Sequence, residues 1–135
     1  MGIVHHSHDL ECSLCTQKLT AAHPKIGFYF NLIKKQFPTV HISQTFRNQS
    51  DQNEAVISGK SKLTWPKSKH NFMVGGPPCS KAMDLFELEG SRAKFDPKFY
   101  LDITEWCKKQ GFKLTYGIDW VTMHDSDHIE LLEPV

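Results

Sequence analysis

No apolar run in this 135-residue chain approaches the roughly 18 residues that suggest a membrane span. The first residues, MGIVHHSHDLEC, are polar where a signal peptide carries its apolar stretch. No membrane span is expected, and synthesis in the cytoplasm without a signal peptide is. An excess of one charge is also missing: Lys plus Arg number 16 and Asp plus Glu 15, so no broad basic surface for nucleic acid is implied. Cysteine is sparse. Cys12 and Cys15 form a close pair while Cys79 and Cys107 stand alone, which is not the dense pattern of a disulfide scaffold, and the thiols are expected to be reduced. Repeats, linkers and low-complexity tracts are absent, and the length suits one hydrophobic core rather than two. Residues 1–135 therefore read as a single domain, with a monomer as the default expectation, and function should reside in a local site.

What is present is an alternation of helical and strand-like periods. From Leu19 to Phe37, apolar residues recur every three or four positions, with Pro24 in the first turn and Pro38 past the end, which predicts a helix. Val40, Ile42 and Gln44 then alternate with His41 and Ser43, a short strand with the histidine on its polar side. Gln49 to Ile57 predicts a short helix closed at Ser58-Gly59. Lys60 to Ser80, with Pro66, Pro77, Pro78 and the pair Gly75-Gly76, predicts loop. Strands follow at Ala82 to Leu88 and Phe112 to Tyr116, separated by a helix over Pro97 to Gln110, and a last strand covers His128 to Leu132 after a turn at His124 to Asp127. The fold expected is α+β: a small, mainly antiparallel sheet with helices packed on one face.

Polar chemistry is concentrated in three segments: SKHN around His70, SKAMDLFEL around Asp84, and HDSDHIEL around His128. Asp84 lies between Met83, Leu85 and Phe86, and a carboxylate on a buried strand is costly unless a cation or a hydrogen-bond network satisfies it. Two histidines and an aspartate would make a three-ligand zinc site. Taken singly, each residue is more often a surface group or a hydrogen-bonded core residue, and the spacing carries little weight. His70 and Asp84 are fourteen positions apart, unlike the i, i+4 pair of a helical zinc motif. Asp125 and Asp127 are equally placed as a base, because both lie in a turn where strand alternation does not set direction.

The order of blocks is more specific. Ser68-Lys69-His70, Ala82-Met83-Asp84-Leu85, Gly117-Ile118-Asp119-Trp120 and Asp125-Ser126-Asp127-His128-Ile129-Glu130-Leu131 follow one another, preceded by Arg47 and Gln52 in Gln44 to Ser61. This order resembles the VanY-like family of zinc D-alanyl-D-alanine carboxypeptidases and L-alanyl-D-glutamate endopeptidases, which share a fold with the Hedgehog signalling domain. The matching blocks span about two thirds of the chain. The resemblance implies His70, Asp84 and His128 as ligands of one catalytic zinc ion and Asp125 as the general base. It also implies that Arg47 steadies the substrate carbonyl, with Gln52 nearby. Glu130, two residues past His128 on the same side of a strand, would orient that ligand. The substrate implied is a peptide of bacterial peptidoglycan. The absence of an export signal favours a phage or prophage lysis or tail-associated enzyme acting on the cell wall, with a non-catalytic zinc-binding module on the same fold as the rival.

Two departures from the family pattern stand out. FMVGGPPCS is inserted between the first histidine and the aspartate, and a loop at the cleft edge is expected from it. At the N-terminus, residues 1–18 carry Cys12-x-x-Cys15 with His5, His6 and His8 upstream, which is half of a zinc knuckle without its second half. Two free thiols are the preferred reading, and a second, structural ion held by Cys12, Cys15 and His8 is the lesser one.

Overall fold

The structure, a computed structural model, describes residues 12–120 and 125–133. Helix α1 (Ser13–Leu19) is followed by α2 (Pro24–Gln36), strand β1 (Val40–Gln44) and α3 (Gln49–Ile57). A long loop with a 3-10 turn at Lys69–Asn71 leads to β2 (Ala82–Glu89) and β3 (Arg92–Lys94). Helix α4 (Pro97–Gln110), β4 (Leu114–Tyr116), a 3-10 turn at Gly117–Asp119 and β5 (His128–Leu131) complete the chain. The architecture is α+β with an all-antiparallel sheet.

Local chemistry sets the element ends. Asn48 Oδ1 accepts the Asp51 N–H at 2.8 Å and starts α3. Asp96 caps α4 ahead of Pro97, a residue that fits the first helical position because its missing N–H is not needed there. Gly111 ends the same helix at φ 73°, in the left-handed region that glycine enters without steric cost.

Strand β2 is the centre of the sheet. Its one edge pairs with β1, and its other edge is shared by β5 at Ala82–Asp84 and β3 at Glu87–Glu89; β4 then pairs with β5. Alternation splits the sheet into two faces. Met83, Leu85, Ile129 and Leu131 turn to a core completed by Ile26, Phe30 and Ile33 of α2 and Ile103 and Cys107 of α4. Each such side chain contributes about 1.5–3 kcal/mol on full burial, so α2 and α4 hold this face firmly. Asp84 and His128 take the alternate positions and turn to the other face.

Three expectations need correction. The helix expected from Leu19 to Phe37 is α2 and starts later, at Pro24, while Leu19 ends a separate helix, α1, that was not anticipated. Proline at the first position of a new helix has the local signature of proline inside the first turn of a longer one. β3 was not anticipated; it is three exposed residues that, among the described residues, pair only with β2. His41, expected on the polar side of β1, is fully buried, because α1 packs against that strand and brings Cys12 and Cys15 to it.

Candidate metal centre

Three side chains distant in sequence meet on the face that α2 and α4 leave open. Asp84 and His128 are direct cross-strand partners, which places their side chains together. His70 comes from the 3-10 turn at Lys69–Asn71, where Ser68 Oγ accepts the His70 N–H and Asn71 Oδ1 accepts the Ser68 N–H. Its own carbonyl accepts the Arg47 N–H at 2.8 Å, tying the turn to the end of β1. His70 Nε2, Asp84 Oδ1 and His128 Nδ1 lie 3.1–3.2 Å from one another. Ligands of a tetrahedral ion with bonds of about 2.0 Å stand about 3.3 Å apart.

The protons on the two rings can be placed from their outer partners. His70 Nδ1 is 2.6 Å from the Thr45 carbonyl oxygen, which can only accept, so Nδ1 carries the proton and Nε2 presents a lone pair. His128 Nε2 is 2.8 Å from Glu130 Oε1. Burial works against the Glu130 carboxylate, but hydrogen bonds from His128 and Lys69 hold its pKa below the usual range, so it too accepts and His128 Nδ1 is left as a lone pair. With His128 neutral, three acceptors thus converge with no proton assigned between them. Such a cluster in a buried setting demands a cation. In the metal-free protein a proton meets part of that demand: burial opposes the charge on His128, yet hydrogen bonds to Asp84 and Glu130 push its pKa up to about 9. Asp84, whose burial would raise it, is held well below the usual carboxylate range by His70 and His128. Among the described residues the second Asp84 oxygen has no hydrogen-bond partner, and Lys60 Nζ at 3.3 Å and Arg47 Nη2 at 3.7 Å are its ion-pair partners. Two imidazole nitrogens and a carboxylate around a common point are a donor set that fits zinc.

The chain shares this fold with the Serratia marcescens L-Ala D-Glu endopeptidase ChiX. The two sequences are 20% identical, the TM-score is 0.67, and the match covers 87% of this chain and 85% of ChiX. No protein-family model matches the sequence, and no curated protein does.

A cleft of about 370 Å³ opens over the cluster. Arg47, Trp120 and Asp125 stand in its walls together with four lysines, Lys60, Lys62, Lys67 and Lys69, while His70, His128 and Glu130 reach it from the sheet side. Arg47 is 3% exposed and held rigidly: Nη1 donates to Gln52 Oε1 at 2.9 Å, and Nε and Nη2 donate to Gln44 Oε1. Gln52 is fixed in turn by Asn71 Nδ2 and by its own bonds to Leu63 O and Ser61 Oγ. The Trp120 ring lies 4.9 Å from the His128 ring. Lys69 bonds Glu130 at 2.9 Å and so steadies the carboxylate that orients His128.

Asp125 reaches the cleft because its backbone is pressed against Gly117. The Asp125 N–H donates to Gly117 O at 3.2 Å, and a Cβ on Gly117 would collide with the Asp125 carbonyl oxygen. Gly117→Ala is therefore expected to shift Asp125 and lower kcat by about 10²-fold through misplacement alone, with the metal content, read by elemental analysis, unchanged. Full activity in that variant would sever the link between this contact and catalysis. Asp127 is placed differently. Its carbonyl accepts the Leu85 N–H, it is not among the described residues lining the cleft, and its carboxyl is pushed up to about 8 by burial, by a hydrogen bond with Asp125 and by the charges of Asp84 and Asp125.

The inserted loop is not at the cleft edge. Residues 72–80 close on themselves, with Val74 N–H donating to Pro77 O and Cys79 N–H to Phe72 O, through Gly75 and Gly76 at φ 61° and 108°. None of them is among the described residues lining the cleft. His5, His6 and His8 lie outside the described residues. Sequence reasoning did not single out Lys60, Lys69, Asn71 or the Thr45 carbonyl, because their roles depend on where the loop between α3 and β2 comes to rest.

Proposed function

We propose that the chain is a zinc peptidase that hydrolyses a peptide bond in the peptidoglycan stem. The observation that carries this reading is the convergence of three buried acceptors at the foot of an open cleft that also holds a carboxylate and an arginine. The shared fold with an L-Ala D-Glu endopeptidase supports it and favours an endopeptidase over a carboxypeptidase. A phage lysis or tail-associated role accords with the same chemistry.

His70, Asp84 and His128 would hold the ion, through Nε2, Oδ1 and Nδ1. Bound zinc supplies Lewis acidity toward water and toward a carbonyl oxygen. Asp125 takes a proton from the attacking water as its oxygen bonds to the carbonyl carbon, then delivers that proton to the amide nitrogen as the C–N bond breaks. The products are one carboxylate and one amine. Arg47, pre-set by Gln44 and Gln52, faces the negative charge that builds on the carbonyl oxygen. Arg47→Ala should lower kcat about 10²–10³-fold. It should also cost about 1–3 kcal/mol of stability, because the part-buried Gln44 Oε1 loses both Arg47 donors and Gln52 Oε1 keeps only the one from Asn71. Kinetics joined to thermal melting checks both, and unchanged kinetics would remove Arg47 from the reaction.

The four lysines of the cleft suit a substrate with carboxylates near the scissile bond, as a stem peptide containing glutamate has. Lys60 and Lys69 are engaged with Asp84 and Glu130, whereas Lys62 and Lys67 make no ion pair among the described residues. The double variant Lys62→Ala/Lys67→Ala is expected to raise KM about two- to tenfold with kcat little changed, and to flatten the dependence of KM on salt. Equal salt dependence in variant and wild type would remove these two lysines from substrate binding.

The decisive assay is release of new amino groups from purified peptidoglycan by wild type and His128→Ala, each with and without a zinc chelator. Cleavage that needs both His128 and metal establishes the peptidase, and product masses name the bond. Metal binding without cleavage of any wall type would replace it with a binding module on the same fold.

A further inference from the structure

A second cluster of metal-ligating side chains lies away from the cleft. Cys12 and Cys15, at the start of α1, and His41, on β1, are 3%, 1% and 0% exposed, and their ligand atoms lie within 4.8 Å of one another. His41 Nδ1 is 3.4 Å from Cys12 Sγ and 3.6 Å from Cys15 Sγ. For one tetrahedral ion, with bonds of about 2.3 Å to sulfur and 2.0 Å to nitrogen, the nitrogen-to-sulfur separation is about 3.5 Å.

We propose that Cys12, Cys15 and His41 bind a second, structural zinc ion that fastens α1 to β1, the strand beside Asp84. Each sulfur already accepts a backbone N–H, Cys12 Sγ from Cys15 at 3.2 Å and Cys15 Sγ from Ile42 at 3.3 Å. Hydrogen bonds of this kind stabilise the negative charge a thiolate ligand carries. The two sulfurs stand 2.7 Å apart, closer than the about 3.8 Å between two sulfurs on one zinc ion, so binding separates them by a small side-chain rotation. In the metal-free protein Lys34 Nζ, which can only donate, faces Nε2, so the ring proton sits on Nδ1; ligation through Nδ1 moves that proton to Nε2 and gives up the Lys34 contact. The Lys34 ammonium is held by the carbonyls of Pro38 and Val40 at 2.7 Å each, and its contact with Nε2, at 3.3 Å, is the weakest of the three. The fourth position falls to water. A disulfide between Cys12 and Cys15 is the competing chemistry, and it would remove both thiolate ligands.

The two centres differ in their donors, and that makes the test clean. The cleft centre has no sulfur, so a sulfur-to-cobalt charge-transfer band in the cobalt-loaded chain reports the second centre alone. The full chain, purified under reducing conditions and loaded with zinc or cobalt, is expected to hold two ions per molecule and show that band. His128→Ala should keep the band with one ion, and Cys15→Ser should lose it and also fall to one ion. A wild-type chain with no thiolate band, or one whose mass is two hydrogens low and whose metal content is unaffected by Cys15→Ser, overturns the proposal. The thiolate band and the mass are read on unsubstituted protein, so poor folding of Cys15→Ser does not blur them. If His128→Ala kept two ions, the cleft reading would fail while the sulfur centre stood.

Discussion

Asp125→Asn is expected to bind as much zinc as wild type and to lose about 10²–10⁴-fold in kcat, the range that a positioned general base contributes. The asparagine keeps the shape and the backbone contacts to Gly117 and His128, so what is removed is the capacity to accept a proton. Elemental analysis and peptidoglycan turnover on the same sample separate the two quantities. Turnover near the wild-type level in metal-loaded Asp125→Asn would move the base elsewhere. Asp127 is next in line, because it shares a hydrogen bond with Asp125, and Asp127→Asn made alongside would then show the loss instead.

Asp84→Asn carries the larger loss. Asp84 is the one anionic member of the cluster and supplies Oδ1 to both histidines. Its loss removes the charge that draws a cation into the site. Metal at the cleft centre and peptidoglycan cleavage should both fall below detection, whereas Asp125→Asn loses only cleavage. Thermal melting adds a further readout. A ligand that binds only the folded state stabilises it by about 2.7 kcal/mol at a free concentration one hundred times its Kd, so wild type should melt higher in zinc than in chelator. In Asp84→Asn the part of that shift owed to the cleft centre should vanish. If the variant bound zinc there and still cut peptidoglycan, the ligand assignment itself would be wrong.

Much of the fold is legible locally. The caps Asn48 and Asp96, the prolines 24 and 97 and the stop at Gly111 are short-range signals, and the ends of α3 and α4 follow them. The hydrophobic alternation of β2 also has a local cause. What sequence could not yield depends on contacts between distant segments. His41 sits at a position whose pattern reads as exposed, and only the packing of α1 against β1 buries it. Lys60 is unremarkable in sequence; the path of the chain after Gly59 brings it to Asp84. His70 and His128 could be singled out through a resemblance in block order, not through spacing, since no periodicity relates a loop residue to a strand fifty-eight positions later.

The pairing of Asp84 with His128 makes the cleft centre a reporter of strand register. Side chains alternate between faces along a strand, so a shift of β5 by one residue would turn His128 into the apolar layer under α2 and α4 and bring Ile129 up to face Asp84. Metal capture therefore selects one alignment of β5 against β2 from its near neighbours. A single-residue insertion or deletion between Asp125 and His128 should silence the site even in a chain that still collapses, whereas the same change in the self-closed turn at 72–80 has no ligand to displace.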